Sequence, residues 1–88
     1  MKIEFDPVKR DATLAERGLD FADAPTVFAG AARTAQDERR DYPEVRFVTT
    51  GTLMGRMVVV VWTPIEGGRR IISMRKANGR EQAKNRLG

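Results

Sequence analysis

Residues 46–75 read RFVTTGTLMGRMVVVVWTPIEGGRRIISMR, and their alternation decides the fold. In the middle lies RMVVVVWT (56–63), β-branched and apolar without a break, the pattern of a central strand covered on both faces. Before it, RFVTTGTL sets Phe47, Thr49, Gly51 and Leu53 on one side against Val48, Thr50 and Thr52 on the other, a strand with one polar-leaning face. MGR reverses the chain between the two, Gly55 supplying the freedom a hairpin turn needs. PIEGG is the next turn, through Gly67-Gly68, and RRIISMR returns as the last long strand. Strict alternation puts Arg70, Ile72 and Met74 on one of its faces and Ile71, Ser73 and Arg75 on the other. On that count Arg70 points toward the layer that helices cover and snorkels its charge to the edge.

Outward from this core, KIEF (2–5) alternates as a short strand. Asp6-Pro7 then starts a helix. The carboxylate caps free N–H groups, and proline at the first helical position loses no useful donor. Val8, Ala12 and Ala15 recur at helical spacing, and Gly18 ends the element in a left-handed turn. LDFADAPTVFAG predicts a second, short helix with Phe21, Ala24, Val27 and Phe28 on one face, capped by Asp20 or by Asp23. ARTAQDERRDYPEV is polar, with a turn or edge strand around 31–36. Asn78-x-x-Glu81 has the spacing of a capping box and opens a last helix of two to three turns. The order is β-α-α-β-β-β-β-α, or one strand fewer. This predicts a single small α+β domain over residues 1–88, with helices packed on an antiparallel sheet.

Composition narrows the chemistry. Of 88 residues 41% are hydrophobic and 32% charged, the balance of a soluble globular domain. The apolar run Met57–Trp62 is too short to span a bilayer, and MKIEFDPVKR lacks the apolar core of a secretory signal. With no cysteine or histidine, a zinc site and a thiol nucleophile are excluded, no cofactor is implied, and the chain is expected in the cytoplasm. The formal charge is +4, unevenly spread. Residues 69–88 carry seven basic side chains (Arg69, Arg70, Arg75, Lys76, Arg80, Lys84, Arg86) against Glu81, whereas residues 1–68 carry nine against eleven acids. A basic terminal segment fits a polyanion, most simply RNA or DNA, and it also fits an acidic protein partner or a solvated face.

A chain without His or Cys can still cleave RNA, because the 2′-hydroxyl is itself the nucleophile. The protein must align that oxygen, offset phosphoryl charge and manage protons. Guanidinium forks suit the second task. Arg75, at the end of the last strand, is the first candidate, the alternative being a solvated strand end or a pair with a neighbouring Glu. Arg46 follows, with Glu44 two positions earlier able to accept a proton or to orient the arginine; an ordinary surface pair is the alternative. Lys76, Arg80 and Lys84 lie at or on the last helix, Arg80 and Lys84 sharing one side. Tyr42 reads equally as a base-stacking group or as a cap on the core edge, and Trp62 as core. Asp37, Glu38, Asp41 and Glu44, interleaved with arginines, read as a salt-bridged loop rather than as a magnesium site.

KIEFDPVKR, GLDFADAPTVF, DYPEVRF, VVVVWT and RRIISMRKANGRE, in order and at similar spacing, resemble the BrnT family of bacterial type II toxins. The most specific piece is RIIS-x-R-x-A before a terminal helix. The resemblance runs from Ile3 to about Glu81 and implies a RelE-like, metal-independent endoribonuclease. It also implies a BrnA-like ribbon-helix-helix antitoxin as partner, with operator DNA met only through the complex and no membrane. The family's conserved arginines fall on Arg75 and Arg70, and its E-x-R element on Glu44 and Arg46. Members commonly have Lys-His-Gly where this chain has Glu16-Arg17-Gly18, and alanine where it has Met74. An arginine side chain holds phosphate and cannot relay a proton. The residue reading and the resemblance together imply catalysis by Arg75, Arg46 and Glu44, with RNA held by Arg17, Arg70, Lys76, Arg80 and Lys84. A weakly active or inactive RNA-binding or co-repressor module is the alternative.

Overall fold

The computed structural model describes residues 1–85, and its elements follow the local chemistry closely. Strand β1 (Lys2–Phe5) leads into helix α1 (Pro7–Arg17). There the Asp6 carboxylate accepts from the Val8 N–H, and Gly18 closes the helix at φ 69°. Both candidate caps of the second helical region are used in part. Asp20 accepts from the Ala22 N–H to start a 3-10 turn (Phe21–Asp23), which runs directly into helix α2 (Ala24–Ala29). Pro25 thereby falls in the tolerant first turn of α2. The edge strand expected near 31–36 is β2 (Arg33–Gln36), and β3 (Phe47–Leu53), β4 (Arg56–Ile65) and β5 (Gly68–Lys76) follow. Met54 and Gly55, at φ 50° and 76°, make the β3–β4 reversal. Helix α3 (Gly79–Lys84) has six described residues and opens with the expected capping box between Asn78 and Glu81. No described helix is long and apolar enough to cross a membrane.

The five strands form one sheet in the order β1-β5-β4-β3-β2. The last four pair antiparallel, whereas β1 joins the outer edge of β5 in parallel, so the sheet is mixed. One face carries the core. Val58, Val60 and Trp62 of β4, Ile71 and Met74 of β5 and Leu53 of β3 pack with Leu19, Phe21, Ala24 and Val27 from the helical side. Trp62 is mostly buried, stacked on Phe47 at 5.0 Å, and its indole N–H donates to the Thr49 hydroxyl at 2.8 Å. Burying such a polar handle is tolerable because it is satisfied.

In β5 the structure corrects the sequence reading. Val61 sits opposite Ser73 and Trp62 opposite Ile71, so Ile72 is an extra residue, a β-bulge. The bulge shifts the phase by one. Ile71 and Met74 both face the core with Trp62 and Val60, whereas Arg70 and Arg75 both stand on the opposite face, across from Thr63 and Val59. Arg70 therefore does not point into the helix-covered layer. Arg69 does, with its guanidinium 4.0 Å from the Phe28 ring centroid and 4.5 Å from that of Trp62.

Helix α2 approaches β3 closely because residue 51 has no side chain. A Cβ there would stand 2.8 Å from Val27 Cγ1, 3.2 Å from Ala32 Cβ and 3.3 Å from the Val27 carbonyl oxygen. The β-branched Val27 cannot swing aside cheaply. Gly51→Ala is accordingly expected to lower stability by about 1–3 kcal/mol, read as a lower denaturation midpoint at unchanged slope in urea.

Candidate functional site

The sheet face opposite α1 and α2 carries the arginines. Register assigns them to rows: Thr50, Val59 and Arg75 form one, and Thr63, Arg70 and Glu4 another. Arg46 directly precedes β3 and joins the second row, because the Thr63 hydroxyl donates to the Val45 carbonyl oxygen at 2.6 Å. The two rows lie four residues of β4 apart, about 13 Å at the usual strand rise. Arg46, Arg70 and Arg75 thus share one face but stand at two ends of it.

At the first end, Arg75 is engaged by α3. Its Nη1 and Nη2 donate to the two Glu81 carboxylate oxygens, each at 2.7 Å, a full fork-to-fork pair. The Asn78 N–H donates to the same Glu81 Oε1 at 2.9 Å. The Arg75 hydrogen bond draws the Glu81 carboxyl down to about 2, burial working against it. Reciprocally, Glu81 raises Arg75 above its ordinary value. β1 pairs only as far as Ile71, which leaves the far half of β5 without a neighbour on that side. Arg17, ending α1, reaches this open edge and donates to the Met74 carbonyl oxygen at 3.1 Å. Glu16, Arg17, Arg75 and Lys76 line a cleft of about 320 Å³ there. Lys84, with Glu81, Arg33, Val48 and Thr50, lines a second cleft of about 420 Å³ under α3. Arg80 is exposed on α3 and lines neither. Arg86, counted in the basic tail, lies outside the described residues.

At the second end, Arg46 Nε donates to Glu44 at 2.8 Å, and its guanidinium rests 4.1 Å from the Tyr42 ring centroid. Glu44 is therefore Arg46's partner, on a different row from Arg75. Arg70 pairs with Glu4 at 2.7 Å. The expected trio of Arg75, Arg46 and Glu44 resolves into two separate ion pairs on one sheet face.

The loop between β2 and β3 is built on Asp37, whose side chain is only 2% exposed. Its carboxylate accepts from the backbone N–H, Nε and Nη2 of Arg39 and from the Tyr42 hydroxyl, at 2.9 to 3.2 Å. The hydrogen bond from Arg39 holds Asp37 well below the usual carboxylate range. Of the four acids read as a salt-bridged loop, Asp37 and Glu44 form ion pairs, with Arg39 and Arg46. Arg39 itself was not singled out by sequence. It is held by Asp37, whose own N–H donates to the Arg46 carbonyl oxygen at 2.8 Å. Glu81 was recognised only as a helix cap, because nothing in local spacing connects it to Arg75.

The chain is thus a small α+β domain with three guanidiniums, each paired with a carboxylate, along one sheet face. More specifically, a family model described as "Ribonuclease toxin, BrnT, of type II toxin-antitoxin system" matches residues 5–81. The chain belongs to the BrnT family of ribonuclease toxins. The match contains Arg17, Glu44, Arg46, Arg70, Arg75, Lys76 and Arg80, and ends before Lys84. No curated protein matches the sequence.

The Arg75–Glu81 pair predicts a pH signature. Glu81 is held below its ordinary value of 4.5, so its pairing contributes fully above that pH and is lost as pH falls through about 2. The difference in thermal midpoint between wild type and Glu81→Gln is expected to be largest above pH 5 and to close toward pH 2. Asp37 and Asp20, also held low by arginines, titrate in both proteins and cancel in that difference.

Proposed function

We propose that this chain cleaves RNA through attack of the substrate's own 2′-hydroxyl, and that a BrnA-like ribbon-helix-helix antitoxin keeps it silent. The observation that carries this reading is the placement of Arg46, Arg70 and Arg75 on the one sheet face opposite α1 and α2, within a BrnT family domain. In the reaction the 2′-oxygen bonds to phosphorus and loses its proton. The P–O5′ bond breaks, and the 5′-oxygen leaves as a hydroxyl. The products are a 2′,3′-cyclic phosphate and a new 5′ end, with no metal required.

The scissile phosphate sits at Arg75, where Arg17 and Lys76 add positive charge as negative charge builds on the phosphoryl oxygens. Arg46 and Arg70 hold the strand further along the face. Glu44 fixes the fork of Arg46, and Tyr42 offers Arg46 a platform. The carboxylates at the Arg75 end are Glu16 and Glu81. Arg80 and Lys84 extend the basic surface toward the flanking RNA, which single strands meet mainly through phosphate contacts and salt-sensitive charge.

A second reading, an RNA-binding or co-repressor module with little or no cleavage, is favoured by Arg17. It stands where relatives commonly carry histidine, and it donates to a backbone carbonyl. General acid–base catalysis typically contributes 10²–10⁴-fold, and a site without a proton relay forgoes that factor.

The two readings separate in one assay. Purified protein, free of antitoxin, is incubated with a defined RNA and, in parallel, with mRNA under translation. Fixed cleavage ends bearing a 2′,3′-cyclic phosphate, reduced at least about 100-fold in Arg75→Ala, are the expected result. Glu44→Ala is expected to act more mildly, through Arg46. Binding without cleavage in both settings would transfer the chain to the second reading. Arg75→Ala should also flatten the dependence of log affinity on log salt by about 0.7.

A further inference from the structure

Glu81 offers Arg75 what a phosphate would offer: two oxygens spanning Nη1 and Nη2, each at 2.7 Å. Those same N–H groups cannot serve both partners, and a carboxylate left in place repels an incoming anion. The element that brings Glu81 there is lightly anchored. Helix α3 has no buried residue. Among the described residues its one side-chain link to the sheet is the Glu81–Arg75 fork. The other bonds, between Asn78 and Glu81, from Gln82 to the Ala77 carbonyl and from Asn85 to the Glu81 carbonyl, stay within α3 and its lead-in. Cavities adjoin the fork on both sides, the edge cleft at Arg17 and Lys76 and the cleft beneath α3. The chain before the helix is pinned by contrast, for Ala77 is buried and its N–H donates to the Met57 carbonyl oxygen at 2.9 Å. Release would therefore pivot about Ala77 without disturbing β5.

We propose that α3 is a latch over the phosphate site. Glu81 occupies the fork of Arg75 in the resting protein, and a phosphodiester ligand takes its place by displacing α3. The capping box survives the exchange, since Glu81 continues to accept from the Asn78 N–H once Arg75 has turned to phosphate. The latch thus opens at the cost of one half-buried ion pair and not of the helix. The inference rests on Arg75 being the phosphate contact, as in the function proposed above.

The test uses a fluorescein-labelled 10-mer with 2′-deoxy sugars, which carries phosphates and lacks the nucleophile, so binding is read apart from cleavage. Glu81→Gln keeps the capping box, which accepts Gln as well as Glu at this position. It is expected to bind the probe about tenfold more tightly than wild type, the loss of one charge-assisted competitor. Glu66→Gln, in the exposed β4–β5 turn, removes the same charge elsewhere and controls for net charge. The gain is expected to vanish in Arg75→Ala/Glu81→Gln. Probe binding to wild type should also speed amide exchange of residues 80–84. If Glu81→Gln binds no better than wild type while Arg75→Ala loses binding, the latch is wrong, Glu81 positions Arg75, and the phosphate site stands. If Arg75→Ala binds as wild type does, the phosphate-site reading fails and the latch falls with it.

Discussion

Trp62 lies opposite Ile71 and Val61 opposite Ser73, so β5 spends one residue more than β4 over the same length. On this the rest of the site depends. Without the bulge, a strand of period two that buried Met74 would bury Ile72 and Arg70 with it. With the bulge, the core receives Ile71 and Met74, and Arg70 and Arg75 both go to the far face. A one-residue change of phase moves every side chain beyond it to the other side of a sheet. The bulge therefore reconciles an apolar core with a row of guanidiniums on the same strand. Deleting Ile72 would remove the bulge and leave a regular strand, with Ile71 and Met74 still on the core face and Arg70 and Arg75 still opposite.

The features that were legible in the sequence are those decided by chemistry within a few residues. Asp6-Pro7 and Gly18 bracket α1, Met54-Gly55 turns the hairpin, and Asn78 and Glu81 cap α3 because caps and turns are local hydrogen-bond problems. The alternation Phe47, Thr49, Gly51, Leu53 identified the buried face of β3 for a similar reason, since a pleat repeats every two residues. What stayed hidden involves partners far apart in the chain. Nothing near Lys2–Phe5 says that it pairs in parallel with Gly68–Ile71, 66 positions on. Continuous apolar character around Ile71-Ile72 conceals a bulge, because either isoleucine can face the core. Candidate arginines could be picked from charge and strand position. Their carboxylate partners Glu4 and Glu81 could not, since an ion pair leaves no periodic trace.

The surplus of basic residues is smaller in effect than in number. Arg10, Arg39, Arg46, Arg70 and Arg75 each hold a carboxylate, on Asp20 and Asp11, Asp37, Glu44, Glu4 and Glu81 respectively. Apart from that of Asp37, these pairs are half-buried to exposed, and pairs open to solvent contribute little to stability. Asp37 differs from the rest. Its carboxylate is buried, accepts four hydrogen bonds and anchors the loop that carries Tyr42. The molecule thus separates a buried carboxylate that shapes a loop from half-buried and exposed pairs that occupy the arginines along the sheet face.

Arg17 completes the picture at the open edge of β5. A histidine at the end of α1 would bring a group that gains and loses a proton near neutrality. A guanidinium brings permanent charge and donors in a fixed fork. Its bond to the Met74 carbonyl oxygen holds that charge beside Arg75 and Lys76, at the strand end that β1 does not cover. At this edge Arg17 therefore supplies electrostatic grip without proton traffic.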